Sequence, residues 1–144
     1  MRRLVLLLAV AVWTRDARAQ ITVSGSPAQM HISTAVAGFA PTSVSNSSTT
    51  YTVSKPVAPH SYTVTAQLNT TMPANTTLDI TLQSAGNGSS AGAVALTTTA
   101  KTVISGITLK VTGATITYNF NAAAAAGVVP LQTRRVTLTV ITVP

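Results

Sequence analysis

Through most of its length the chain alternates apolar side chains with hydroxyl-bearing ones at a period of two. The clearest run is Arg134 to Val143, in which Val136, Leu138 and Val140 alternate with Thr137, Thr139 and Ile141. That pattern predicts a strand with one buried face. Ser61 to Asn69 repeats it, with Tyr62, Val64, Ala66 and Leu68 set against Ser61, Thr63, Thr65 and Gln67. Thr77 to Gln83 directs Leu78, Ile80 and Leu82 inward and Asp79 outward, and Ala114 to Phe120 places Ile116, Tyr118 and Phe120 on one face.

Weaker strand patterns occur at Ile21 to Ser24, Gln29 to Ser33, Thr49 to Ser54, Val94 to Thr98 and Thr102 to Leu109. The last is interrupted at Ser105-Gly106, which predicts a bulge or a change of sheet. Between these runs lie sequences that favour turns: Gly38 to Ser48, Lys55 to His60 with two prolines, Met72 to Asn75, and Ser84 to Gly92. Ala122 to Ala126 is too short to nucleate a stable helix alone and reads as a single helical turn or a loop. About seven to nine short strands with no amphipathic helix between them predict an all-β fold, an antiparallel immunoglobulin-like β-sandwich.

The first residues follow a different rule. Arg2 and Arg3 precede an apolar run from Leu4 to Trp13, and Ala17-Arg18-Ala19 offers small residues at the −3 and −1 positions of a signal-peptidase site. Ten apolar residues are too few to span a bilayer. Residues 1–19 are therefore expected to be a secretory signal peptide, and residues 20–144 a single β-sandwich domain. Export without any Cys means that packing and sheet hydrogen bonding hold the domain, with no disulfide framework.

Charge narrows the function. Beyond residue 19 the charged side chains are Lys55, Lys101, Lys110, Arg134 and Arg135 against Asp79, a net charge of 5 − 1 = +4. One carboxylate cannot supply paired-carboxylate hydrolysis, a calcium cage or a two-metal centre. Five scattered cations with no interleaved aromatic residues form no nucleic-acid stripe.

His31 and His60 have no Cys or carboxylate at ligand spacing, so no metal site is assigned. A triad of Asp79, a histidine and a serine lacks the Gly-x-Ser-x-Gly elbow, and no phosphate-binding or dinucleotide fingerprint occurs. No catalytic, cofactor-binding or metal-binding residue is expected, and no cofactor. The pairs Thr50/Thr52, Thr63/Thr65, Thr115/Thr117 and Thr137/Thr139 read as β-favouring residues on solvated faces; an ice-binding array would need a flat sheet. Sequons at Asn46, Asn69, Asn75 and Asn87 fall in turn-like sequence.

From Val94 onward, Thr102-Val103-Ile104-Ser105-Gly106-Ile107, Ala114-Thr115-Ile116-Thr117-Tyr118, the Ala-rich loop and Arg135-Val136-Thr137-Leu138-Thr139-Val140 resemble small bacterial secreted β-sandwich proteins. These are the spore-coat-U-like and fimbrial, pilin-like domains. The resemblance implies an immunoglobulin-like sandwich exported to the periplasm or cell surface, without enzymatic activity. The chain departs from chaperone–usher pilins in lacking a Cys pair and a near-terminal Tyr, and Ile21 to Gly25 offers a short donor strand.

Together these readings predict a non-enzymatic, secreted structural or cell-surface protein, a fimbrial- or coat-like subunit. Its expected partner is another copy, reached through edge strands, with no nucleic acid and no membrane span after signal cleavage. The alternative expectation is an extracellular binding module, an adhesin or carbohydrate binder.

Overall fold

The computed structural model describes residues 18–33, 36, 38–54 and 56–144. The signal peptide expected over residues 1–19 lies outside the described residues except for Arg18 and Ala19, and Lys55 is outside them as well.

Strand β3 (Ser61–Leu68) shows how the alternation becomes structure: Tyr62, Val64, Ala66 and Leu68 are all buried. It pairs on one side with β7 (Lys101–Ile107) and on the other with β9 (Val136–Val143). The second sheet is thus β5-β7-β3-β9, its outer member β5 being only Ser89–Ser90. The first sheet is β1-β2-β8-β4-β6, with β1 Gln20–Ser24, β2 Val44–Ser54, β4 Thr76–Leu82, β6 Val94–Ala95 and β8 Val111–Ala122. The fold is all-β, every pairing is antiparallel, and the two sheets contribute to one hydrophobic core.

The long strands β2, β3, β4, β7, β8 and β9 alternate between the sheets in chain order. Each connection therefore crosses from one sheet to the other at an end of the molecule. The core is built from Tyr51 and Val53 of β2, Leu78, Ile80 and Leu82 of β4 and Ala114, Ile116 and Tyr118 of β8, together with the apolar side chains of β3 and β7.

The structure moves several boundaries. Gln29 to Ser33 forms no strand, although Met30 packs against the core. Strand β2 starts at Val44, inside the Ser-rich stretch read as loop. Ser45 Oγ donates to Asn119 Oδ1 at 2.9 Å, and Ser47 and Thr117 hydroxyls are bonded at 2.9 Å, so β8 supplies polar partners that a local propensity cannot register. The interruption at Ser105-Gly106 is a bulge rather than a change of sheet. The β3–β7 register slips between Tyr62 and Thr65, Gly106 takes φ +68°, and consecutive Val103 and Ile104 are both buried. The alanine run makes one 3-10 turn, Ala124–Ala126, closed by Gly127 at φ +61°.

Gly88 is the position where glycine is required. It sits at φ +87°, and a Cβ there would lie 2.8 Å from the Ser105 carbonyl oxygen and 3.0 Å from Ile107 Cγ1.

Candidate functional site

The chemistry-bearing residues picked out in the sequence are not brought together. His31 is exposed in the coil after β1, and His60 is exposed immediately before β3. Asp79 is half-buried on the solvent face of β4, where its Oδ2 accepts 2.9 Å from Asn121 Nδ2. Among the described residues no three His, Cys, Asp or Glu side chains cluster as metal ligands. Two open surface depressions border β4, one between Asn75 and Ala123 and one between Gln83 and Thr117, and no histidine or Asp79 lines either.

What the fold does assemble is an asymmetric pair of edges. Strand β9 pairs with β3 over its whole length, from Ser61 opposite Val143 to Leu68 opposite Val136, without a register shift. Among the described residues no strand pairs with its other side. Every second residue of that side presents an unpaired main-chain N–H and C=O along roughly 26 Å of strand. Strand β1, the edge of the first sheet, approaches β9 on the same flank of the molecule.

Burial marks this flank as incompletely covered. The inward residues of β3 and β7 are closed off from solvent, whereas Val136, Leu138 and Val140 of β9 and Ile21 of β1 are only half-buried against the same core. Ile141 and Val143 are 46% and 40% exposed, and Val23 of β1 is 49% exposed. Arg134 and Arg135 head the alternating run in the sequence, where a charge on at least one of them would discourage edge-to-edge pairing. The structure places both ahead of β9, and Arg134 is occupied elsewhere: its Nε donates 3.0 Å to the Thr71 carbonyl and its other nitrogens bond Gln132 and the Thr133 carbonyl. Val136 to Val143 carries no charge, no Pro and no bulge, three of the devices that blunt an edge.

The solvent face of the first sheet is of the opposite character. Thr22 opposes Thr52, Thr50 opposes Thr115, Thr81 opposes Thr117, and Asp79 opposes Asn119. A side-chain chain runs across it from Ser45 to Asn119, from Asn119 Nδ2 to Asn121 Oδ1 at 3.1 Å, and on to Asp79. These groups hydrogen-bond one another across three strands, β2, β8 and β4. Not every Thr lies on a solvated face: Thr49 is buried with its hydroxyl toward the Ile116 carbonyl, and Thr65 and Thr76 are buried too.

Two tyrosines are modified by burial. The Tyr51 hydroxyl is pushed up to about 12 by desolvation. Desolvation also raises Tyr118, against the opposing effect of its hydrogen bond with Thr49. Both are core anchors, and neither has a general-acid or general-base partner that would give the shift a catalytic use.

Comparison with protein-family models, with curated proteins and with solved structures finds no match to this chain.

Proposed function

We propose that the protein is a non-enzymatic, exported structural subunit of the cell surface that associates with further copies through its open flank. The observation that carries this reading is the uncharged edge of β9, unpaired among the described residues, over a half-covered core. Its companion is the immunoglobulin-like sandwich reading. The order β1-β2-β8-β4 follows the A-B-E-D sheet of that fold, and the β3–β9 pair follows C-F. In this correspondence the position beside F, which strand G occupies in a complete sandwich, is the free side of β9.

The other free edge of the flank is β1, the stretch the sequence offers as a donor strand. In this structure β1 is paired with β2, from Gln20 opposite Ser54 to Ser24 opposite Thr50. A contact in which β9 of one copy takes β1 of the next is heterologous and propagates, so it builds a filament rather than a closed dimer. Light scattering and electron microscopy of the chain beginning at Gln20 test the reading. Assembly that is lost in the double variant Ile141→Lys/Val143→Lys, at unchanged circular dichroism, supports it; a strictly monomeric wild-type protein at millimolar concentration overturns it.

A second reading, an extracellular binding module for a neutral glycan, is favoured by the face of the first sheet, where Ser, Thr and Asn side chains surround the single Asp79. A glycan array distinguishes the two, because the assembly reading expects no bound glycan.

A further inference from the structure

We propose that one end of the molecule is a docking tip for the surface of an anionic phospholipid bilayer. The topology brings four features to this end. The start of β2 lies beside the end of β8, with Val44 opposite Phe120, and the end of β3 lies beside the start of β9, with Leu68 opposite Val136. The connection leading into β2 and the connection from β8 to β9 therefore emerge together. The β3–β4 turn is tied to the second of these: Asn69 Oδ1 accepts from the Arg135 N–H at 2.9 Å, and Asn75 Nδ2 donates to the Ala125 carbonyl at 3.2 Å.

Both connections carry large apolar side chains that are mostly exposed among the described residues. Val36 and Phe39, in a turn closed by the Phe39 N–H on the Val36 carbonyl at 3.0 Å, are 62% and 70% exposed. Val128 and Leu131 are 98% and 82% exposed, the most exposed large apolar side chains among the described residues. A loop that leaves Val128 wholly in water gains nothing from it in the folded monomer, and placing such tips in the interfacial zone of a bilayer removes that exposure.

The charge at this end selects the kind of bilayer. Lys101 opens β7, and Arg134 and Arg135 immediately precede β9, so three of the four cationic side chains among the described residues beyond Arg18 ring the same end. The one carboxylate side chain among the described residues, Asp79, lies three residues into β4 and is engaged by Asn121. An apolar tip with a basic collar and no opposing acid is complementary to anionic headgroups over a hydrocarbon layer, and a neutral protein partner would not need the collar. Among the described residues the opposite end offers Leu109, Val57 and Val143, 68%, 45% and 40% exposed, with Lys110.

Vesicle flotation tests the proposal with the chain beginning at Gln20, which contains all nine strands and excludes the apolar run Leu4 to Trp13. Vesicles are phosphatidylglycerol–phosphatidylcholine or phosphatidylcholine alone. The expected result is flotation with the anionic vesicles that is abolished by molar salt. Val128→Asp/Leu131→Asp lowers the partition coefficient tenfold or more. Lys101→Gln/Arg135→Gln lowers it roughly thirty-fold. The opposite-end variant Leu109→Asp/Lys110→Gln leaves it unchanged, and circular dichroism verifies that all variants keep their β content. Absence of flotation, flotation insensitive to the Val128/Leu131 change, or equal loss in the Leu109/Lys110 variant overturns it. So does a finding that the Val128/Leu131 change dissolves a vesicle-independent oligomer, which would make a second copy the occupant.

Discussion

The Tyr51 hydroxyl donates a 2.6 Å hydrogen bond to the main-chain carbonyl of Gln83, two strands away across β8. The residue opposite Tyr51 on the intervening strand is Ala114, whose small side chain leaves room for the ring to pass. One side chain thus ties β2 to the end of β4 beneath β8. Tyr51→Phe keeps the ring and leaves the Gln83 carbonyl short of a partner, with an expected loss of about 1–2 kcal/mol in urea unfolding. A change below about 0.3 kcal/mol would show that water or a neighbour replaces the hydroxyl.

The same hydroxyl makes stability fall at alkaline pH. Burial raises its folded-state pKa from 10.0 to about 12, so folding favours the protonated form. The contribution is fully present below pH 10 and is lost as pH rises from there through about 12. Tyr118 acts in the same direction. Urea midpoints measured between pH 9 and 11.5 should decline in the wild type and decline less in Tyr51→Phe.

Gly88→Ala should be strongly destabilising, by roughly 2 kcal/mol or more, because it combines a left-handed backbone with a Cβ 2.8 Å from the Ser105 carbonyl oxygen. Gly86, also at positive φ but with open space around it, is the control, and Gly86→Ala should cost about half as much. Thermal denaturation of the two variants makes the comparison; equal losses would mean that the contact with β7 relaxes freely.

Asn87 holds the loop before β5 against the turn between β7 and β8. Its Nδ2 donates to the Leu109 carbonyl, and its Oδ1 accepts from the Thr108 N–H and hydroxyl, both at 3.3 Å. Asn87→Asp removes the donor and sets a carboxylate against a carbonyl, with an expected cost of about 1–2 kcal/mol. Hydrogen exchange should show faster opening confined to residues around 84–90 and 107–111.

Val64 and Val140 are directly paired on β3 and β9, yet Val64 is closed off and Val140 is half-buried. Val64→Ala should therefore cost about twice as much as Val140→Ala in a monomeric preparation, about 2 against about 1 kcal/mol. If the β9 edge is covered by another copy, the gap should narrow as protein concentration rises, which scanning calorimetry at two concentrations reads directly.

The strands with strict alternation were legible residue by residue. Tyr62 to Leu68, Leu78 to Leu82 and Ile116 to Phe120 present the faces their pattern dictates, because a two-residue period leaves a half-buried strand no other choice. Where alternation was weak, partners decided. Val44 to Ser48 became strand through bonds to Asn119 and Thr117, more than seventy positions away or close to it, and Val94-Ala95 shrank to two residues beside β4. The open flank was not legible at all. Val136, Leu138 and Val140 have the same pattern as the core strand β3, and only the strand order shows that one of these two neighbours is covered on both sides and the other on one.

By itself, then, the sequence determined the all-β class, the inward faces of the strong strands and the scarcity of acid–base chemistry, since these depend on local periodicity and on residue inventory. Tertiary structure alone decided which strands became edges, that Arg134 serves a loop rather than the β9 edge, and that the connections carrying Val36, Phe39, Val128 and Leu131 leave the sheets at the end where β7 and β9 begin. The physical reason is that an edge, a vacancy beside a strand or a cluster at a tip is a relation between segments far apart in the chain. No window of sequence contains both members of such a relation.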